Sequence, residues 1–410
     1  MIYLVTGQQS LFDDPNYKII SIEESLQLLN GCKVLQYDSE TNGRDAHLCD
    51  ILCIQFGSKA KDFQIVIDTT TISISHYKNI LESKNIIGHN LKFDLQFLYN
   101  FNIVPRNVYD TMIVEQLLYL GYPSGVIRFS LKDVAKRRLN VDLDKSTRGE
   151  IIWRGLDSKV IIYAASDVQY LEDIMHSQLS DCRYKECLIG AKLECDFVPA
   201  IAYLEWCGIK LDANKWKAKM AIDNKNLKER KDLLDAFVVN IYKHNSNSND
   251  YTNVFRGIDK FIIHNRQGDL FSGFDLEPKC AINWDSSRQV VSFAKLLGFN
   301  TSVQDKKTGE DKDSVLEKHL KGQKGINDAF LDLYFNYQES AKVVSSFGQG
   351  HLNAINPKTG RIHTIYRQLS TSSGRLSCGS SQSNEELARY KGIPTKNCCY
   401  PKLLGRHPNV

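Results

Sequence analysis

CKVLQYDSETNG, residues 32–43, is the stretch on which the fold turns. Residues 32–38 are apolar, rich in strand formers and end in an acid, so they predict a buried β-strand. Asp38 and Glu40 form a D-x-E at its end. Side chains alternate along a strand, so both carboxylates point to one face. Two further apolar runs, DILCIQFG (50–57) and FQIVI (63–67), predict a second and a third strand. Ile86-Ile87-Gly88-His89-Asn90 reads as a short strand entering a loop, after which Phe93, Phe97 and Leu98 recur at helical spacing. VYDTMIVEQLLYLGY (108–122) predicts an amphipathic helix stopped by Gly121 and Pro123. SLKDVAKRRLN (130–140) predicts another helix, and KVIIYAASDVQYLEDIMHSQL (159–179) predicts one long helix. Strands first, then strand–helix alternation, make residues 1–185 an α/β domain.

The pattern changes from about residue 190. EWCGIKLD (205–212) reads as a helix, a glycine turn and a short extended piece. Residues 214–242 predict one long, charged helix, and HNSNSND (244–250) a surface loop. Residues 283–298 and 312–346 again read as helical. Residues 351–378 read as short strands and turns.

Composition bounds the rest. The 410 residues hold 52 Lys+Arg against 48 Asp+Glu, a balance of +4. That length suggests about two to three domains. Hydrophobic residues at 42% and charged residues at 24% exclude a mainly disordered, collagen-like or coiled-coil chain. No stretch approaches the roughly 20 apolar residues of a membrane span, and the start lacks the features of a secretory signal. A balance of +4 does not itself mark a nucleic-acid binder, so any such reading must come from local patches. The 11 Cys show no C-x-x-C pair or finger spacing. They read as reduced, mostly buried thiols of a cytoplasmic protein.

Four carboxylates stand out by their settings. Asp38 and Glu40 share a strand end. Asp94 lies four residues after Asn90, and Asp167 four after Tyr163. On a helix the latter spacing puts phenol and carboxylate on one face. Hard divalent cations need oxygen ligands, and Mg²⁺ takes one or two carboxylates plus substrate phosphate. Two such ions can stabilise both the attacking and the leaving oxygen of phosphoryl transfer. Acids from separate segments, with a tyrosine able to orient water, suit that chemistry.

YDSETNG (37–43), GHNLKFDLQFL (88–98), YDTMIVEQLL (109–118), SLKDVAKRRLNVDLDKS (130–146) and YAASDVQYL (163–171) together resemble the DEDD 3′–5′ exonuclease family, in its tyrosine-bearing form. The resemblance covers about residues 20–185. It implies an RNase H-like fold, a mixed sheet flanked by helices. It further implies catalytic and metal-binding roles for Asp38, Glu40, Asp94 and Asp167. Asp38, Glu40 and Asp167 would ligate one of two divalent ions (Mg²⁺, or Mn²⁺). Asp38 would also touch the second, which Asp94 helps to hold through water. Tyr163 and Glu40 would position the attacking water, and Asn90 would contact substrate.

The second half resembles family A DNA polymerases. KLECDFVPAIAYLEWCGIKLD (192–212), INWDSSRQV (282–290), FLDLYFNYQESAKVVSSF (330–347), NPKTGRIHTIY (356–366) and STSSGRLSC (370–378) follow in that family's order. The resemblance implies a mainly helical, thumb-like DNA-binding region over 186–350 and an incomplete palm edge over 351–378. It gives Arg375 a contact with the primer strand. The palm and fingers motifs that would carry nucleotide addition are missing, and residues 379–410 diverge from the family signature. The expected partners are DNA, as a single-stranded 3′ end and as primer–template duplex, and a second chain carrying palm and fingers. No membrane partner is expected. The expected location is the cytoplasm, that of the host if the chain is phage-encoded. The expected activity is proofreading hydrolysis of 3′-terminal nucleotides. Two rivals are a stand-alone ribonuclease D-like exonuclease and a primer–template-binding subunit of a split polymerase. The Lys and Arg between 215 and 231 can be read as a phosphate-lining helix, or as a solvated helix paired with Glu229, Asp232 and Asp235.

Overall fold

The computed structural model describes residues 1–8, 14–122, 126–144, 150–247, 255–264, 277–305, 309–323 and 327–379. Residues 248–250 of the predicted loop, Pro123, Cys398-Cys399 and the divergent tail from 380 lie outside them. The chain forms two compact units. One is Met1–Leu211 together with the described residues from Ala354 onward, and the other is Asp212–Asn353.

Among the described residues, the main sheet of the first unit has seven strands: β1 (Ile2–Val5), β2 (Lys18–Ile19), β3 (Val34–Thr41), β4 (Ile51–Ser58), β5 (Phe63–Asp68), β6 (Asn85–Gly88) and β7 (Asn107–Asp110). Nine α-helices accompany them among the described residues: α1 (Ile22–Asn30), α2 (Lys78–Ser83), α3 (Leu91–Tyr99), α4 (Thr111–Leu118), α5 (Leu131–Leu139), α6 (Ile151–Arg154), α7 (Ser158–Gln169), α8 (Leu171–Tyr184) and α9 (Leu188–Cys207). The strand order is β2-β1-β5-β4-β3-β6-β7. β3, β4 and β5 run antiparallel to their sequence neighbours, while β6 and β7 are parallel to β3. The result is the mixed sheet of the RNase H-like fold.

Alternation along β3 sorts its side chains. Tyr37 stands opposite Phe56 and Ser39 opposite Ile54, and Leu35, Tyr37, Phe56 and Ile54 share one apolar cluster with Leu91, Leu95 and Leu98 of α3. Asp38 stands opposite Gln55 and Glu40 opposite Cys53. Cys53 belongs to a different cluster, filled by Val160, Ile161, Ala164 and Ala165 of α7. Both faces are therefore packed, and the two acids of β3 face α7.

Several sequence expectations are corrected. The single helix over 108–122 is a strand, β7, followed by the shorter α4. Asp110 ends the strand and N-caps the helix, accepting from the Met112 and Ile113 amides. The long helix over 159–179 is two helices broken at Tyr170, whose backbone (φ −111°, ψ 2°) leaves the helical region. The helix that follows residue 212 runs Ala213–Asn247, into the predicted loop. Residues 312–346 hold a strand (Asp311–Asp313), a short helix (Glu317–Leu320) and a long one (Asp328–Ser346).

The unit boundaries fall at 212 and 354, whereas the sequence suggested changes near 186 and 351. α9 explains the first. It buries Ala191, Cys195, Val198, Ile201 and Ala202 in the first unit. Near its end Glu205, 2% exposed, accepts from Lys92 Nζ (2.7 Å), Gln96 Nε2 (2.7 Å) and the Tyr366 amide (2.6 Å). Lys92 and Gln96 are on α3, so one buried carboxylate ties α3, α9 and the returning segment together. In the second unit the basic stretch carries its own counterions. Lys225 pairs with Glu229 (3.7 Å), Lys231 with Asp235 (2.7 Å), Lys219 with Asp223 and Arg230 with Glu339 (3.1 Å). Those spacings favour the solvated-helix reading, with pairs worth about 0.3–0.5 kcal/mol each.

Candidate active site

Asp38 and Glu40 come from β3 and Asp167 from α7. Each offers a carboxylate oxygen, and the three oxygens lie within 4.8 Å of one another. Asp167 is 4% exposed. Three carboxylates this close repel unless a cation or protons intervene. All the donors are hard oxygens, a set that fits Mg²⁺ or Mn²⁺ and not a soft metal.

Tyr163 sits one helical turn before Asp167 and is 8% exposed. Its hydroxyl hydrogen-bonds Asp167. Burial, then the charges of Asp167 and Glu40, push the phenol far above its ordinary range. The neutral phenol has one O–H to donate.

Asp94 lies outside the group of three. It is on the first turn of α3 and only 2% exposed. Its Oδ1 accepts from Ser39 Oγ at 2.5 Å. Burial raises its pKa to about 7, with the Asp110 and Glu40 charges adding to the rise.

Asn90 takes the left-handed conformation (φ +66°) that starts α3. Its amide donates to Asp110 Oδ1 (3.0 Å), and the Leu91 amide donates to Asp110 Oδ2 (2.7 Å). Asp110 Oδ1 also accepts from Met112 (2.9 Å) and Ile113 (3.2 Å). One fully buried carboxylate thus caps both α3 and α4. Gly88 precedes this turn, where a Cβ would lie 2.2 Å from Leu91 Cδ2 and 3.1 Å from the Tyr37 carbonyl oxygen.

Arg375 is exposed and follows a tight turn in which the Gly374 amide donates to the Thr371 carbonyl at 3.0 Å. Gly374 has φ +73°, which a side chain would resist. The Arg375 amide donates to Thr371 Oγ1 (2.8 Å). These local bonds hold the turn.

Sequence reasoning missed Asp110, Ser39 and Glu205. For Asp110 the signal was present: Asp before Thr and an apolar run is an N-cap pattern. For Ser39 and Glu205 there was none, because their partners are distant in sequence.

Residues 17–180 match the family model described as 3′-5′ exonuclease, of the DNA polymerase A type. DNA polymerase I of Aquifex aeolicus is 30% identical over 250 residues, covering 55% of this chain and 39% of that protein. Ribonuclease D of Haemophilus influenzae is 39% identical over 83 residues, covering 20% of each chain. The POL domain of Pol1 from M. smegmatis, in complex with DNA primer-template and dNTP, superposes with a TM-score of 0.61 at 16% identity. That superposition covers 92% of this chain and 55% of the other. The chain thus spans less than two thirds of the length of these relatives. Residues 17–180 are a 3′–5′ exonuclease domain of the DNA polymerase A family, in a chain whose similarity to polymerase I extends beyond that domain.

Proposed function

We propose that the chain removes nucleotides from the 3′ end of DNA by hydrolysis, as the proofreading part of a family A polymerase. The observation that carries this reading is the convergence of Asp38, Glu40 and Asp167, with the Tyr163 hydroxyl on Asp167, inside an exonuclease domain. Asp38, Glu40 and Asp167 would hold one divalent cation, and Asp38 with Asp94 a second. Mg²⁺ or Mn²⁺ bound there supplies positive charge for the phosphate and lowers the pKa of water. The Tyr163 hydroxyl, which donates its one proton to Asp167, accepts from the attacking water and helps to place it. Glu40 accepts from the same water. Asn90, at the entry to α3, and Arg375, on its rigid turn, are the proposed contacts to the DNA strand, with primer–template duplex as the second substrate form. DNA is preferred over RNA because the similarity beyond residue 180 is to polymerase I. Such activity places the protein with DNA in the cytoplasm. Among the described residues no helix is long and apolar enough to cross a membrane.

A second reading, a ribonuclease D-like RNA exonuclease, is favoured by the short match to ribonuclease D. The test is Mg²⁺-dependent degradation of 3′-labelled single-stranded DNA and RNA, and of mismatched primer–template. DNA should be shortened to mononucleotides, with the mismatched end removed faster than a paired one. Asp38→Ala and Asp167→Ala should each abolish hydrolysis and leave DNA binding in place. Faster RNA cleavage would select the second reading. Undiminished hydrolysis by either variant would refute the site.

A further inference from the structure

We infer that Ser39, the residue between the two acids of β3, is a positioning residue that sets the Asp94 carboxylate for the carboxylate site; the role in turnover rests on the nuclease reading above. Strand alternation sends Ser39 to the face opposite Asp38 and Glu40. On that face its strand neighbours Leu35 and Tyr37 are core residues, 0% and 1% exposed. A hydroxyl placed among them costs stability unless it is bonded. Ser39, itself 7% exposed, spends its proton on Asp94 Oδ1 at 2.5 Å. Bonds from a hydroxyl to a carboxylate are short and strong.

Asp38 and Glu40 face α7, which carries Asp167, while Asp94 stands on α3 and is tied through Ser39 to the strand that carries Asp38 and Glu40. Asp110 fixes the start of α3, and Ser39 fixes the carboxylate one turn in. Together they make the position of Asp94 follow the strand that carries Asp38 and Glu40. Any movement of α3 relative to β3 is resisted at the carboxylate itself.

The test compares wild-type protein, Ser39→Ala and Ser39→Thr. Turnover and KM on single-stranded DNA are one readout. Mn²⁺ binding to the DNA-free protein, followed by loss of the free-ion EPR signal, is another. Melting followed by circular dichroism shows which variants fold. Residues that orient a ligand change activity or metal affinity about 10–100-fold when removed. Ser39→Ala should lower kcat by about tenfold or more and weaken the lower-affinity Mn²⁺ site by a similar factor. KM should stay within about twofold. Ser39→Thr, which keeps the hydroxyl on a strand-compatible side chain, should restore both. Adding Ser39→Ala to Asp94→Ala should cause no further loss of kcat.

A folded Ser39→Ala protein with wild-type kcat and Mn²⁺ titration would overturn the inference. So would failure of a folded Ser39→Thr to restore either, or a full additional loss on top of Asp94→Ala. If wild-type protein degrades no nucleic acid, the nuclease reading fails by itself. The Mn²⁺ titration then still decides whether Ser39 sets Asp94.

Discussion

Replacing Asp110 tests how the exonuclease domain holds α3, the helix that carries Asp94. The carboxylate accepts four amides: Asn90, Met112 and Ile113 on Oδ1, and Leu91 on Oδ2. Asp110→Ala removes the cap from two helices at once. An N-cap is worth about 1 kcal/mol, and a buried donor left unpaired costs about 1–3 kcal/mol. Two caps and at least one amide that water cannot reach give a loss of about 3 kcal/mol. Asp110→Asn is gentler. Its remaining oxygen still serves Asn90, Met112 and Ile113, and only the Leu91 amide meets an NH₂ group instead of an acceptor. That substitution should cost about 1–2 kcal/mol. Amide hydrogen exchange over residues 88–118 reads the loss where it occurs. A loss of 3 kcal/mol corresponds to exchange about 10² faster at α3 and α4, since about 1.4 kcal/mol is tenfold. Asp94 rides on the first turn of α3, so nuclease activity should fall with protection. Exchange in Asp110→Ala within about threefold of wild type, or Asp110→Asn the worse of the two, would refute the double-cap argument.

Other substitutions probe the same domain. The folded Asp94 carboxyl has its pKa raised to about 7, above an unfolded value near 4. Its contribution to stability is thus fully present below pH 4 and is lost as pH rises to about 7. Chelator-treated protein should melt at a higher temperature at pH 5.5 than at pH 7.5, and Asp94→Asn should shrink that difference. Tyr163→Phe should leave folding and DNA affinity unchanged and lower kcat by about 10–100-fold, because only the hydroxyl is lost. Burst-free single-turnover kinetics would measure it. Glu205→Ala should destabilise the first unit by about 3 kcal/mol, since it strands Lys92, whose side chain is 15% exposed. Denaturant titration reads this, and the paired change Lys92→Met, Glu205→Leu should recover most of the loss.

The strand signal at 32–43 was legible because every device that makes it is local. A period of two puts Asp38 and Glu40 on one face whatever the rest of the chain does. A turn of helix does the same for Tyr163 and Asp167. What the sequence could not state was which elements meet. It read 108–122 as one helix because apolar spacing there fits a helix, and parallel pairing of Asn107–Asp110 with Asn85–Gly88 overrides that preference. Asp110 consequently fell within the predicted helix, whereas it caps two helices. The break at Tyr170 is also tertiary: α8 turns to bury Leu171 and Ile174, and the periodicity is continuous across it.

The sequence by itself determined that the chain begins with an α/β domain bearing strand-end acids and a Tyr–Asp helix, and that a charged, helical region follows. Hydrophobic period and residue chemistry suffice for that, because they act within a few residues. Only the tertiary structure decided that Asp38, Glu40 and Asp167 converge while Asp94 is reached through Ser39. It alone showed that Glu205 joins α9 and the returning segment to α3. These facts depend on which face of the sheet each helix covers. The physical reason is that packing joins residues 55 to 161 positions apart, as in the Ser39–Asp94 and Glu205–Tyr366 bonds, and no local pattern encodes such a pairing.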